Sequence, residues 1–292
     1  CWITYFLINW RGGQMIQLSK KFDVIMIDIE AHMKSEHNRK PFHIAWTRSN
    51  ALDRHAPSET YEWYVKEFLH PTMWKHTYED KQTGKRIDWK IDSRADSVMK
   101  RAIENPQLVK PLAEIYEILQ MQISVSDAIG SYNWSYDSKS LDIGYRTLNH
   151  TDFLSAIPHT PFCLLDCYAN KVVNKDYFTF IDELAEHEKQ QYKSKSGKNL
   201  GYSAEIMARY VNRDHFYIEE HTALNDAKIE MALLKHFIAK YKKSFFDDFL
   251  GKPKFVSWTK IRDRLSSAEK MRQRGETETK TTPVQENQLE LF

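Results

Sequence analysis

The sequence predicts an α/β fold in which a mixed β-sheet is flanked by helices. Three observations carry that expectation. Residues 22–29, FDVIMIDI, form a β-branched apolar run suited to a central strand. HIAWTRS (43–49) and TYEWYVKEF (60–68) follow as partner strands of a meander. Beyond residue 108, helical and strand-like segments alternate, the pattern of a sheet with parallel members.

Residues 70–105 are polar and aromatic, with Gly84 suited to a turn, and read as a long surface excursion. LVKPLAEIYEILQMQI (108–123) carries helical spacing at Leu112, Ile115, Leu119 and Ile123. SDAIGSYN reads as a short strand entering a turn, and PFCLLDCY (161–168) as a further buried strand. Residues 177–192 and 202–211 are expected to be helical. The strongest helix spans 222–242, where Leu224, Ala227, Met231, Leu234 and Ile238 recur at steps of three and four.

A chain of 292 residues with 41% hydrophobic and 13% aromatic content can bury a substantial core, which excludes wholesale disorder. Lys+Arg 42 against Asp+Glu 40 leaves only +2, so net charge does not select a polyanionic partner. The three cysteines, Cys1, Cys163 and Cys167, argue against a disulfide framework and for a reducing compartment. Cys163 and Cys167 are expected as two buried thiols on one short strand, since no second Cys/His pair completes a zinc site. No stretch reaches the roughly 20 apolar residues of a membrane span. No Walker or Rossmann glycine loop and no internal repeat is present.

The opening CWITYFLINW lacks a basic leader and a cleavage site. Arg11-Gly12-Gly13-Gln14-Met15 back-translates as a purine-rich run before ATG, the form of a bacterial ribosome-binding site read through as protein. Residues 1–14 are therefore expected to be upstream translation, with the natural start at Met15.

Chemistry is suggested by carboxylates. Asp28 and Glu30 lie two apart at a strand end, so period-two alternation puts both on one face. Two acids aimed together repel unless a cation joins them, and hard Mg²⁺ or Mn²⁺ prefers oxygen ligands. A lone Asp-X-Glu is more often a solvated strand end. Asn133 to Asp137 (NWSYD) follows a short strand and opens a helix, where Asn and Asp also serve as ordinary caps. His221 falls just outside the strongest helix. Asp226 is expected in its second turn, close to the apolar stripe and therefore partly buried.

Taken together, Asp28-Ile29-Glu30, Asn133 to Asp137, and His221-Thr222-Ala223-Leu224-Asn225-Asp226-Ala227 resemble the three motifs of the DEDDh 3′→5′ exonucleases. That family includes the epsilon proofreading subunit and RNase T-like enzymes. The motifs occur in family order and span roughly residues 20–242. Leu165-Asp166 and Tyr202-Ser203-Ala204-Glu205 also match family features. Three departures accompany the match: Ala31 stands where Thr is usual, Tyr132 where His is common, and the gap between the first two motifs is lengthened by 70–105.

The resemblance implies a ribonuclease H-like sheet and two-metal phosphodiester hydrolysis with two Mg²⁺ (or Mn²⁺). It implies that Asp28 bridges both ions. Glu30 and Asp226 hold the ion beside the attacking water, and Asp137 holds the other. It implies that His221 is the general base, since the unperturbed pKa of an imidazole, about 6.5, suits a base working near neutral pH. Ala31, His32, Asn133 and Tyr136 are placed at the substrate.

Organisation follows from composition. The exonuclease domain is expected at 15–245 with 70–105 inserted, then a basic segment at 246–274. Within it, 252–274 holds eight Lys/Arg against Asp263 and Glu269. The segment could contact phosphates, or form an amphipathic helix packed by Phe255, Trp258, Ile261 and Leu265. GETETKTTPVQEN (275–287) reads as a flexible linker of roughly 20 Å. Gln288, Leu289, Leu291 and Phe292 resemble the pentapeptide by which bacterial replication proteins bind the sliding clamp. The expected partners are a single-stranded DNA 3′ end and a bacterial-type sliding clamp, with a polymerase left open and no membrane, and the expected location is the cytoplasm of a bacterial cell, or of the host cell if a phage encodes the chain. Two alternatives stay open: an exoribonuclease of the same family, and a non-catalytic adaptor gripping DNA and clamp.

Overall fold

β-Branched residues and apolar faces on both sides make 23–31 the natural centre of a sheet, and the computed structural model bears this out. The structure describes residues 10–11, 14–15, 21–32, 40–69, 75–79, 86–91, 95–148, 161–173, 175–193 and 200–252. Strand β1 (Asp23–Ala31) is buried without exposure from Val24 to Ile27, as expected of a strand covered on both faces. It pairs antiparallel with β2 (Pro41–Asn50), which pairs antiparallel with β3 (Glu59–Val65). This is the expected meander, with residues 66–68 turning into a 3₁₀ helix instead of continuing β3. On the other side β5 (Ala128–Ser131) lies parallel to β1, and β6 (Phe162–Cys163) parallel to β5. The short β4 (Val109–Lys110) runs parallel to β3. The six-stranded order β6-β5-β1-β2-β3-β4 is therefore mixed, as predicted.

Helix α8 (Ala223–Ser244) packs on β1 and β2. Ala227, Met231, Leu234 and Ile238 are buried as the stripe requires, Leu224 is half-buried, and Leu233 and Phe237 join them. The Thr47 hydroxyl of β2 donates to the Ala227 carbonyl at 3.3 Å, fixing the helix against the sheet. Phe237 meets Phe245, which in turn meets Phe22 and Phe162, so aromatic rings close the far end of the core. Helices α2 (Leu112–Ser124) and α3 (Trp134–Thr147) are joined by the Tyr116 hydroxyl donating to the Leu141 carbonyl at 2.7 Å.

Several expectations change. The run 161–168 is not one strand: only Phe162–Cys163 extend, and Leu164–Lys171 form α4. Every residue from Leu164 to Ala169 is buried, so no polar face reveals the helical period. Cys163 and Cys167 are buried free thiols, but one sits on the strand and the other on the helix. The helix expected from 108 starts at Leu112, because Pro111 sits at φ −59°, ψ 144°. The segment 177–192 divides into α5 (Lys175–Glu183), the single turn α6 (Glu186–Lys189) and a 3₁₀ turn. Ala185 is extended between them, and Glu188 reaches back to its N–H at 3.0 Å. The 70–105 excursion contains an antiparallel hairpin, Lys75–Glu79 with Arg86–Ile91, and helix α1 (Ala95–Glu104). Val98, Met99 and Ala102 of α1 pack on Tyr64 and Leu69, so this part of the excursion is anchored to the sheet edge. Helix α7 (Ala204–Asn212) is found as expected, with the Ser203 side chain capping Ile206 N–H.

The fold just described lies in one compact unit, Cys1–Phe255. The second unit, Val256–Phe292, lies outside the described residues, as do Gly84 and, apart from two two-residue strands, the whole of 1–20. The expectations for the upstream segment, the linker and the clamp-binding residues Gln288, Leu289, Leu291 and Phe292 fall there.

Candidate metal centre and active site

The carboxyl end of β1 is where the three motifs converge. Asp28 and Glu30 alternate on one face and are half-buried. The β1/β2 register shifts between Glu30 and Ala31, a bulge that re-aims the strand end beyond the acids. Asp226 arrives from α8 and is 8% exposed. It sits in the first turn, not the second, because the helix is capped at Thr222, whose hydroxyl accepts from Asn225 N–H at 3.4 Å. One carboxylate oxygen from each of Asp28, Glu30 and Asp226 lies within 4.8 Å of the others.

Asp137 stands in the first turn of α3 and is 2% exposed. It lies outside that trio, yet Asp28 feels its charge. Burial, then Asp137, pushes the Asp28 carboxyl well above the usual range. Burial raises Asp137 to about 7, with the Glu30 charge adding to the rise and the nearby Ser131 hydroxyl and Ile29 amide opposing it. Burial, then the Glu219 charge, raises Asp226 to about 8. Asp137 Oδ1 and Asp226 Oδ1 are buried without a hydrogen-bond partner. Crowded, dehydrated carboxylates with orphaned oxygens are a poor arrangement for protein alone and a fitting donor set for a hard divalent cation. Asp28, Glu30, Asp137 and Asp226 are the residues that could hold one or more.

His221 precedes the cap of α8, with φ 50° placing it in the left-handed region. Its side chain is 55% exposed. It shares with Glu30 a cavity of about 120 Å³, whose walls include His43, Tyr64 and Arg101. His43 stacks on Tyr64 at 4.4 Å and bonds Glu62 at 3.0 Å. Arg101 belongs to α1, so the excursion that interrupts the motif spacing supplies one wall of this cavity.

The four residues predicted at the substrate differ in access. Ala31 and His32 have no exposed surface, and His32 Nε2 bonds the Phe68 carbonyl at 2.9 Å. Any contribution from these two would come through their backbone. Asn133 and Tyr136 are half-buried at the start of α3, and Asn133 makes no side-chain cap.

Two acids escaped the sequence reading. Glu230, one turn after Asp226 on α8, is 3% exposed and accepts the Tyr132 N–H at 3.0 Å. Burial, then the Asp137 charge, raises its carboxyl well above the usual range. The i, i+4 spacing from Asp226 within an apolar stripe was the available signal. Glu219 is 9% exposed beside His221. With Glu205 and His221 it forms a second convergent group within 4.8 Å. Glu205 is already engaged, however: its Oε1 accepts from Arg209 Nη2 at 2.6 Å and from the Glu219 N–H at 3.3 Å.

Among known proteins, no family model and no curated sequence matches this chain. Solved structures do. The chain is similar to apo exonuclease I at 13% identity and TM-score 0.50, covering 77% of this chain and 44% of that one. It is similar to E. coli exonuclease I in complex with a 5cy-dT13 oligonucleotide at 14% identity and TM-score 0.50, covering 77% and 42%. A structure of exonuclease I that addresses processivity matches equally, at 14% and TM-score 0.50, covering 77% and 43%. This chain thus spans less than half the length of these exonucleases. At this identity the likeness is one of fold, a mixed sheet flanked by helices as the sequence predicted.

Proposed function

We propose that this chain is a metal-dependent 3′→5′ exonuclease that trims single-stranded DNA ends. The observation that carries the reading is the convergence of Asp28, Glu30 and Asp226 within 4.8 Å, with Asp137 and His221 beside them. The likeness in fold to exonuclease I, seen with an oligonucleotide in one case, supports the reading. When bound, two Mg²⁺ or Mn²⁺ ions would neutralise the phosphodiester and lower the pKa of a water. Asp28 would hold both ions, Glu30 and Asp226 the one beside that water, and Asp137 the other.

The remaining chemistry belongs to the chain. His221 accepts a proton from the water as its oxygen bonds to phosphorus. The bond from phosphorus to the 3′-oxygen of the penultimate nucleotide breaks. The departing oxygen takes up a proton, and the products are a nucleoside 5′-monophosphate and a strand one residue shorter. The cavity beside Glu30 and His221 would receive the terminal nucleotide, with the Arg101 cation on its wall.

The tail residues Gln288, Leu289, Leu291 and Phe292 would tether the enzyme to a bacterial-type sliding clamp, in keeping with replication-associated trimming or proofreading. The supporting feature is their fit to the clamp-binding pentapeptide at the end of a polar linker.

Incubating 5′-labelled single-stranded DNA and RNA with the full chain, in Mg²⁺ or EDTA, tests the reading. The expected result is Mg²⁺-dependent shortening of DNA from its 3′ end. Cleavage of RNA alone would point to the exoribonuclease. Binding without cleavage in Mg²⁺ and Mn²⁺ would leave the adaptor. Removal of 288–292 should abolish clamp capture and leave free-DNA hydrolysis unchanged.

A further inference from the structure

Glu219 and the Glu205–Arg209 pair lie outside all three acid motifs, yet they are built into the loop that carries His221. Arg209 is 7% exposed and reaches out from α7 in three directions. Its Nε donates to the Tyr217 carbonyl at 2.7 Å, its Nη1 to the Gln191 carbonyl, and its Nη2 to Glu205 at 2.6 Å. Glu205 in turn accepts the Glu219 N–H at 3.3 Å. The backbone of 217–219 is therefore held at two points by a part-buried ion pair, just before the chain turns through the left-handed residue His221 into the Thr222 cap. From that fixed point Glu219 directs Oε2 to within 3.5 Å of His221 Nδ1.

We propose that Glu219 is a positioning residue for His221, held in place by the Arg209–Glu205 pair. This deepens the proposed function and rests on it. The chemistry follows from the two ring nitrogens. An imidazole whose Nδ1–H is directed to a carboxylate keeps Nε2 unprotonated and able to accept a proton from water. An imidazole half exposed on a loop would otherwise sample other ring orientations and the opposite tautomer. The 3.5 Å separation is long for a hydrogen bond, in the way that contacts of a general base commonly are before substrate closes the site. Glu219 is itself nearly buried, so its carboxylate cannot swing away into solvent. Glu205 is committed to Arg209, which leaves Glu219 as the acid of that group facing the histidine.

A double-mutant cycle on the full chain tests this. Turnover and KM on a DNA oligonucleotide are measured for E219A, E219Q, H221A and E219A/H221A, together with thermal stability and Mn²⁺ affinity by calorimetry. E219A should lower kcat by roughly 10–100-fold with KM unchanged and Mn²⁺ binding retained, although the Glu219 charge also reaches the Asp226 carboxylate. E219Q should recover part of that loss, because the amide oxygen can still accept from Nδ1–H. In the H221A background E219A should have no further effect, since its role passes through the histidine. Nitrogen NMR should report Nδ1–H at His221 in the wild type and a shift toward Nε2–H in E219A, a readout that needs no activity. Equal loss from E219A with and without His221, or loss of Mn²⁺ binding in E219A, would overturn the positioning role. Full activity of H221A would instead overturn the reading beneath it.

Discussion

Neutralising one buried acid of the cluster should change how stability depends on pH, and Asp137 is the best place to see it. Its carboxyl is raised from 3.8 to about 7, chiefly by burial. A raised acid pKa means the folded state holds its proton more tightly than the unfolded chain. The stability this gives is full below about pH 4 and is lost as pH climbs through about 7. At 1.36 kcal/mol per pKa unit, the ionised carboxylate costs the fold on the order of 4 kcal/mol above that pH. For a domain of this size, that corresponds to on the order of 10 °C in Tm. Asp28, Asp226 and Glu230 are raised as well and titrate with Asp137, so the cluster total is not a simple sum. The assay is thermal unfolding of wild type and D137N in EDTA between pH 4 and 9. Asn cannot ionise, so the two proteins should be close at pH 4, with D137N increasingly the more stable as pH rises, by on the order of 10 °C at pH 9. Mg²⁺ should raise the wild type at pH 9 and narrow that gap, because a cation bound only by the folded state stabilises it. Parallel curves in EDTA would refute the crowded-carboxylate account of the site.

Three further outcomes follow from the same geometry. D28A should abolish hydrolysis while leaving the fold intact, measured by gel assay and circular dichroism, because its carboxylate lies within reach of both Glu30 and Asp226. G130A should destabilise by about 1–3 kcal/mol in urea unfolding, because a Cβ there would come within 2.4 Å of the buried Phe162 ring. Cys163 and Cys167 should resist a thiol reagent in the native state and react after denaturation. Burial pushes the Cys163 thiol up to about 11 and Cys167 well above its usual value.

The sequence alone determined the frame of this protein. A β-branched run ending in Asp28 and Glu30, two amphipathic partners and a long striped helix are local patterns with periods of two and 3.6. Such periods survive in a single chain because they express which face is buried. The same patterns placed Asp137 and Asp226 near helix starts. They failed where burial is uniform, as in Leu164–Ala169, and where a proline or an extended residue resets the backbone, as at Pro111 and Ala185. Only the tertiary structure decided what meets what. Glu230 is an ordinary acid until α8 lies on the sheet and brings it to Tyr132 N–H and the charge of Asp137. Helix α1 is a remote excursion until it packs on Tyr64 and lines the cavity beside His221. Glu219 and Arg209 are ordinary residues, and Glu205 only part of a helix start, until α7 and the loop before α8 lie side by side. Desolvation and charge repulsion depend on distances between residues far apart in the chain. No periodicity in the sequence encodes those distances.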